Sequence, residues 1–566
     1  MKKHLLLAAA ALASCWFVAG CAHPVDAPVS VPHKTELMLD SLDVCAEAAP
    51  APVVECASSV GRQRQVMCMP SGAIMPSVPA PVLLPPGYNT EEYKSVQANR
   101  FKLVSESPLS TFGADVDTAS YTMVRSHLQR RAGPIPPPDA IRIEEFVNYF
   151  SYDYPAPAKG RKFGVAFESI DAPWNTAHKL LLVGVQAEEA ERDEIPAGHY
   201  VFLVDNSGSM GHVMPLVRAA MGTLADQMRP DDKVSLVTYG GGVNVLMEGI
   251  SGKEKETIRE RIERLGCGGY TPGGAGIQTA YELAHKHFIK GGNNRVILIT
   301  DGDFNVGVSS EGDLVAMVEK ERDSAIYLTA LGVGYGNYRD NKLKMLANKG
   351  NGNYSFLDSE AEARRVMQSE FAGKMLTVAK DVKFQIEFNP AKVHSYRLLG
   401  YELRHLEAED FKDDTKDAGE VGAGHQVTVL YELVMADSDE AKAGEGPSVD
   451  PLKYQTKAAS GSDEILTFKL RYQQPEGGAP SVEETSVLAK LPRKAKNIRW
   501  ASAVAEFALC LRHDADASNA SLDNLWKRAQ KAIGTDKDGK RSEFLSLVKA
   551  AQEMPQRPAR PPRDFY

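Results

Sequence analysis

The chain has 566 residues, 43% apolar and 25% charged, which is ordinary for a globular protein and long enough for more than one domain. A formal net charge of −9 argues against a protein held to nucleic acid by its phosphates. The seven cysteines and thirteen histidines show no zinc-type spacing.

Met1 to Gly20 opens with Lys2 and Lys3, runs apolar from Leu5 to Ala13 and ends in small residues, the pattern of an export signal. The apolar stretch is too short to cross a bilayer. Val18-Ala19-Gly20-Cys21 is similar to a bacterial lipobox, which implies cleavage before Cys21 and lipidation of that cysteine. Ala22, rather than Asp, follows it. By resemblance to Gram-negative sorting rules this implies a lipid anchor in the outer membrane, facing the periplasm or the cell surface. An ordinary signal peptide (1–20) with a chance cysteine is the alternative. Export implies an oxidising compartment in which Cys45, Cys56 and Cys68 can form a disulfide of open pairing. Cys267 and Cys510 are expected as buried, unpaired thiols.

Residues 21–99 are rich in Pro, Ala, Val and Ser and lack periodicity, so a disordered tether with a coil dimension of about 50 Å is expected. From 100 to 195 the reading is of helices and first strands. Ser110 to Ala114 makes a poor buried strand, and Asp115, Asp117 and Thr118 form a cluster expected to cap a helix over 119–131. A D-x-D phosphotransferase motif is the rival there, but Ala119 stands where Thr or Val is needed. A second helix is expected over 141–150, then strands at 163–169 and 179–187.

Between 196 and 370 strands and helices alternate, which predicts a doubly wound, mainly parallel sheet covered on both faces. Between 371 and 495 the period becomes two, as in Val382, Phe384, Ile386 and Phe388, which predicts a β-sandwich. Strands of the same character precede residue 190, so the α/β domain is expected as an insertion into one sandwich. Residues 496–554 are helical in pattern, with Trp500, Val504, Phe507, Ala508 and Leu511 on one stripe. The Pro- and Arg-rich tail, 555–566, is expected to be disordered.

The stretch with most chemical content is Val201-Phe202-Leu203-Val204-Asp205-Asn206-Ser207-Gly208-Ser209. An apolar strand ends in Asp205, and D-x-S-x-S spacing brings a carboxylate and two hydroxyls to one side if the chain stays extended. That is half a cage for a hard cation, although a helix cap uses the same residue types. Ligands in a doubly wound sheet bind beyond the carboxyl ends of the strands. Two further signals fall there: Asp301 closes the strand Val296 to Thr300, and Thr271 sits in a Gly-rich loop before a helix.

Together these resemble the von Willebrand factor A domain and its metal-ion-dependent adhesion site. The resemblance implies that Ser207, Ser209 and Thr271 ligate Mg²⁺, or another divalent ion such as Mn²⁺ or Ca²⁺, while Asp205 and Asp301 bind directly or through water. A partner's exposed Asp or Glu then completes the coordination, so the function implied is protein binding at the cell envelope, not turnover. Asp115-Val116-Asp117-Thr118-Ala119-Ser120-Tyr121, Thr300-Asp301-Gly302-Asp303-Phe304-Asn305 and Lys349-Gly350-Asn351-Gly352-Asn353-Tyr354 are similar to the YfbK-type family of bacterial von Willebrand A lipoproteins.

Rivals fare less well. Gly534-Thr535-Asp536-Lys537-Asp538-Gly539-Lys540 has a phosphate-loop skeleton but Arg541 where Ser or Thr is required, and it lacks the acidic ligands of a calcium loop at Gly534 and Leu545. The acidic run from Glu407 to Asp417 reads as a solvated loop. H-E-x-x-H and G-x-S-x-G motifs are absent. A hydrolase would need a base such as Asp303 beside the ion. A structural lipoprotein with an incidental ion is the third reading.

Overall fold

The computed structural model describes Tyr93 and residues 97–114, 117–130, 136–190, 195–268, 274–302, 311–334, 340–368, 376–416, 418–443, 461–475, 481–493 and 495–554. The export signal, Cys21, the tether up to residue 96 apart from Tyr93, and the tail 555–566 lie outside them; the expected tether ends too late, since Asn99 Nδ2 donates to the Leu398 and Gly400 carbonyls.

The central domain is a six-stranded sheet in the order Tyr354–Leu357, Ile326–Val333, Asn293–Thr300, Gly198–Asp205, Lys233–Tyr239, Asn244–Ser251. Its first five strands are parallel, and the last runs antiparallel at the edge. The central strands are buried throughout, which is why they read as unbroken apolar runs. Alternation assigns Phe202 and Val204 to a core with helix Met214–Gln227, and Val201 and Leu203 to an opposite core with helix Gly274–Lys286.

Two antiparallel sheets frame this domain. One orders Lys102–Leu103, Val393–Leu399, Gln426–Met435, Asn175–Ala187 and Phe163–Ala172; the other orders His405–Leu406, Leu109–Gly113, Thr377–Phe388, Leu466–Gln473 and Val482–Leu488. Phe384, Ile386 and Phe388 from one sheet share a core with Leu181, Val183 and Leu433 from the other. Segments before and after the central domain contribute to both sheets, so the insertion architecture is observed.

Four expectations need correction. Leu109–Gly113 is a buried strand, paired to Thr377–Phe388 with Phe112 opposite Phe384. Its polar residues are satisfied from both sheets: the Tyr431 hydroxyl of the facing sheet donates to Ser110 Oγ at 2.9 Å, and Gln385 Nε2 of the adjacent strand to Thr111 Oγ1 at 3.0 Å. Asp117 is a buried charge rather than a cap, held by Lys344 at 3.2 Å and Arg404 at 3.1 Å and accepting the Tyr354 amide. The helix expected over 141–150 is shortened to Ile143–Val147, behind a 3-10 turn at Pro138–Ala140 started by a proline-rich run. Cys267 is exposed, because its loop lies past the helix Lys255–Glu263 at the sheet's carboxyl edge; Cys510 is half-buried, and both thiols are free.

A buried ionic cluster ties the central domain to what surrounds it. Arg142 Nη1 donates to Asp340 Oδ2 at 2.8 Å and its Nε to Glu145 Oε1 at 2.5 Å. Lys344 Nζ reaches the same Glu145 oxygen at 2.6 Å, and the Tyr354 hydroxyl donates to Asp340 Oδ1 at 2.6 Å. Helices Asn497–Arg512, Leu522–Ala532 and Lys540–Glu553 close the chain. Buried Glu168 accepts the Asn497 and Ile498 amides, a carboxylate placed on orphan donors at a helix start. Asp536 accepts the Arg541 and Ser542 amides, so the stretch that imitated ion and phosphate loops serves as a helix entry.

His199, the second residue of the strand that leads to Asp205, is fully buried, Nε2 2.9 Å from Ser235 Oγ. Burial, aided by nearby His287 and Lys233, pushes its imidazole down to about 4. The unfolded chain therefore binds the extra proton between about pH 6.5 and 4, so stability falls as pH drops through that window and levels off below it. The expected loss from this residue is about 3 kcal/mol. Denaturant midpoints from pH 7 to 4 for wild type and His199→Gln check it: parallel profiles would refute the assignment.

Candidate metal centre

Asp205 ends a central strand of the sheet, between Asn293–Thr300 and Lys233–Tyr239, and is only 2% exposed. Its Oδ1 accepts the Ser207 amide at 2.9 Å and its Oδ2 the Thr300 hydroxyl at 3.1 Å. Asp301 follows Thr300 at the end of the neighbouring strand and is also buried. Ser207 and Ser209 Oγ stand 3.0 Å apart on a 3-10 turn, Gly208–His212. The Asn206 amide donates to the Tyr239 carbonyl, and the Asn206 carbonyl accepts from Gly268, both at 2.9 Å. The turn is thus tied to a second strand end and to the loop that leads to Thr271. Thr271 itself and Asp303 lie outside the described residues.

One glycine is required for this geometry. Gly240 has φ +147°, and a Cβ there would stand 2.6 Å from the Ser207 nitrogen. Burial, opposed by the Ser207 hydrogen bonds and reinforced by the Asp301 carboxylate, raises Asp205 above its ordinary range. The pocket therefore favours added positive charge, whether proton or cation.

The donor chemistry fits a hard divalent ion. The two serine hydroxyls share a hydrogen bond at 3.0 Å, a separation that adjacent ligands about 2.1 Å from an octahedral ion also have. Among the described residues no three His, Cys, Asp or Glu side chains are grouped to hold a metal, so this centre rests on hydroxyls backed by two carboxylates. The structure brings together Asp205, Ser207, Ser209 and Asp301. Sequence reasoning missed Thr300, which orients Asp205.

Family models match in three stretches. A von Willebrand factor model covers residues 87–182, the von Willebrand factor type A domain 200–369, and the C-terminal region of uncharacterized protein YfbK 373–554. The chain is 40% identical over 476 residues to uncharacterized protein YfbK of Escherichia coli (strain K12), spanning 82% of this chain and 81% of that protein. It is 25% identical over 210 residues to uncharacterized protein sll0103 of Synechocystis sp., spanning 36% of this chain and 48% of that one. Among solved structures, a von Willebrand factor type A protein from Catenulispora acidiphila aligns over 71% of this chain and 90% of its own, at 15% identity and a TM-score of 0.38.

The central α/β unit is accordingly a von Willebrand factor A domain. The chain belongs to the YfbK family.

Proposed function

We propose that the protein is a cell-envelope lipoprotein, anchored by lipid on Cys21, that binds a protein partner through a divalent cation at Asp205, Ser207, Ser209, Thr271 and Asp301. When bound, the ion supplies an open coordination position for a partner's Asp or Glu. The chain's own part is to fix the oxygens: Thr300 and the Ser207 amide hold Asp205, and the Tyr239 and Gly268 backbone groups hold the serine turn. The observation that carries the reading is the convergence of two serine hydroxyls with two buried carboxylates at the carboxyl ends of neighbouring strands. The lipobox-like residues support the envelope location, and the anchored side is the outer membrane if Ala22 acts as a sorting residue.

Asp205→Ala is expected to weaken Mg²⁺ binding at least about a hundredfold in titration calorimetry, since even outer partners of metal ligands are worth 10–100-fold. Capture of a partner from envelope extracts should be lost in the variant and in EDTA. Capture insensitive to both would sink the adhesion reading, and metal-dependent hydrolysis of an ester or phosphoester panel would favour an enzyme.

A further inference from the structure

We infer that His178 is a pH-operated clasp: as an imidazolium it ties the short helix Asp439–Ala443 to the sandwich, and loss of its proton to solvent releases that helix. The ring lies on the strand Asn175–Ala187 and is buried. Its Nδ1 stands 2.6 Å from Glu432 Oε1 on the adjoining strand, and its Nε2 stands 2.8 Å from Glu440 Oε2 in the helix. Carboxylates only accept, so both ring nitrogens carry hydrogen and the ring is charged.

The two carboxylates are not equivalent, which gives the clasp a direction. Glu432 is fully buried and its other oxygen accepts Arg397 Nη2 at 3.0 Å, so it stays with the strands whatever the ring does. Glu440 is half-exposed. The helix that carries it buries none of its five residues, so its docking depends on Glu440 rather than on an apolar face. Before it, the Ala436 amide donates to the Lys392 carbonyl at 2.9 Å, which fixes the strand end and leaves residues 437 and 438 as the hinge.

Asn175 supplies the second state. Its Oδ1 accepts the Ala177 amide at 3.2 Å, which turns Nδ2 toward the ring, 3.1 Å from His178 Nε2. While Nε2 carries hydrogen, two donors face each other there; once the hydrogen is lost, the amide donates to the lone pair. The neutral ring therefore keeps Glu432 through Nδ1, takes Asn175 at Nε2 and turns a lone pair toward the Glu440 carboxylate.

The surrounding charges leave this logic intact. The Phe101 ring meets the imidazole at 5.3 Å between centroids and lies against Arg397. Arg397 also holds Asp514 and Asp516, and Arg100 reaches Asp516. Strand alternation puts Lys179 on the opposite face, where it pairs with Asp171. Burial pulls the imidazole toward neutrality, but the hydrogen bonds to Glu432 and Glu440 outweigh it and hold the proton above the ordinary histidine value. The tie is accordingly complete below about pH 6.5 and is lost as pH rises through the raised value.

Trypsin cleavage after Lys442, inside the helix, reads release when the full chain is followed by mass spectrometry. Glu440→Gln is the reference, because its amide accepts from the charged ring or donates to the neutral one, and dividing by its rate removes the protease's own pH profile. The wild-type rate relative to that variant is expected to rise at least about fivefold between pH 6 and 9.5. Asn175→Ala, which removes the donor that receives the neutral ring, should raise the pH of half-release by about half a unit. A relative rate that is constant from pH 6 to 9.5 overturns the inference. So does a rise that survives in His178→Gln, since the titration would then belong to another group. Matching melting curves for wild type and Glu440→Gln at both pH values establish that faster cutting is local release and not unfolding.

Discussion

Arg142→Met is expected to lower the unfolding free energy by about 3–5 kcal/mol, among the largest effects of any single change in this chain. The side chain is 1% exposed and holds Asp340 and Glu145, both equally buried. Burial opposes ionisation of Glu145, yet Arg142 and Lys344 hold its carboxyl well below the ordinary range. Asp340 stays above its ordinary range, because burial outweighs the pull of Arg142. Removing the guanidinium leaves two carboxylates close together in a low-dielectric interior with Lys344 as their remaining cation, which is why breaking such a cluster is far worse than replacing it whole. Urea unfolding followed by circular dichroism measures the loss. The triple change Arg142→Met, Glu145→Gln, Asp340→Asn should recover part of it. A single-variant loss under about 1 kcal/mol would mean that the cluster is hydrated and behaves like a surface pair.

Trp500→Ala should cost a similar 3–5 kcal/mol, by a different route. The indole is fully buried, edge-on to Phe150 and Phe544 at centroid distances of 5.3 Å each, with the Arg541 guanidinium 4.8 Å from its centroid. Phe507 meets Phe544 at the same 5.3 Å, so truncation opens a cavity at the centre of an aromatic cluster that joins three elements. The expected signature is a lower urea midpoint with cation affinity at Asp205 unchanged, because the indole belongs to a core distinct from the two beside the central sheet. A midpoint within experimental error of wild type would show that the surrounding rings collapse into the space.

Much of the fold was legible because periodicity reports burial directly. Val382, Phe384, Ile386 and Phe388 alternate in sequence and face one core, while Val201 to Val204 run apolar because the strand has a core on each side. Leu109–Gly113 was missed for a reason the same logic explains: Ser110 and Thr111 break the apolar pattern, and their partners, Tyr431 and Gln385, come from strands more than 250 residues away. Asp117 misled similarly, since a local cap and a long-range ion pair use the same carboxylate. At the candidate cation site, Asp205, Ser207 and Ser209 were legible through spacing and Asp301 through its strand end. Thr300 was not, because an orienting hydroxyl leaves no mark in local sequence.

The insertion also sets an order in time. Every pairing of the central sheet is made within residues 198–357, so that domain completes from its own segment. Leu109–Gly113, by contrast, waits for Thr377–Phe388, and Asn175–Ala187 for Gln426–Met435. A chain emerging from its amino end therefore assembles the von Willebrand factor A domain first, while Lys102–Leu103, Leu109–Gly113 and Asn175–Ala187 stand with open edges, the kind of surface through which nascent chains associate. Contacts of such wide sequence separation form late and slowly. The vulnerable stage in the life of this protein is the interval before residue 435 arrives, and a premature stop after the central domain would leave it folded but carrying those unpaired strands permanently.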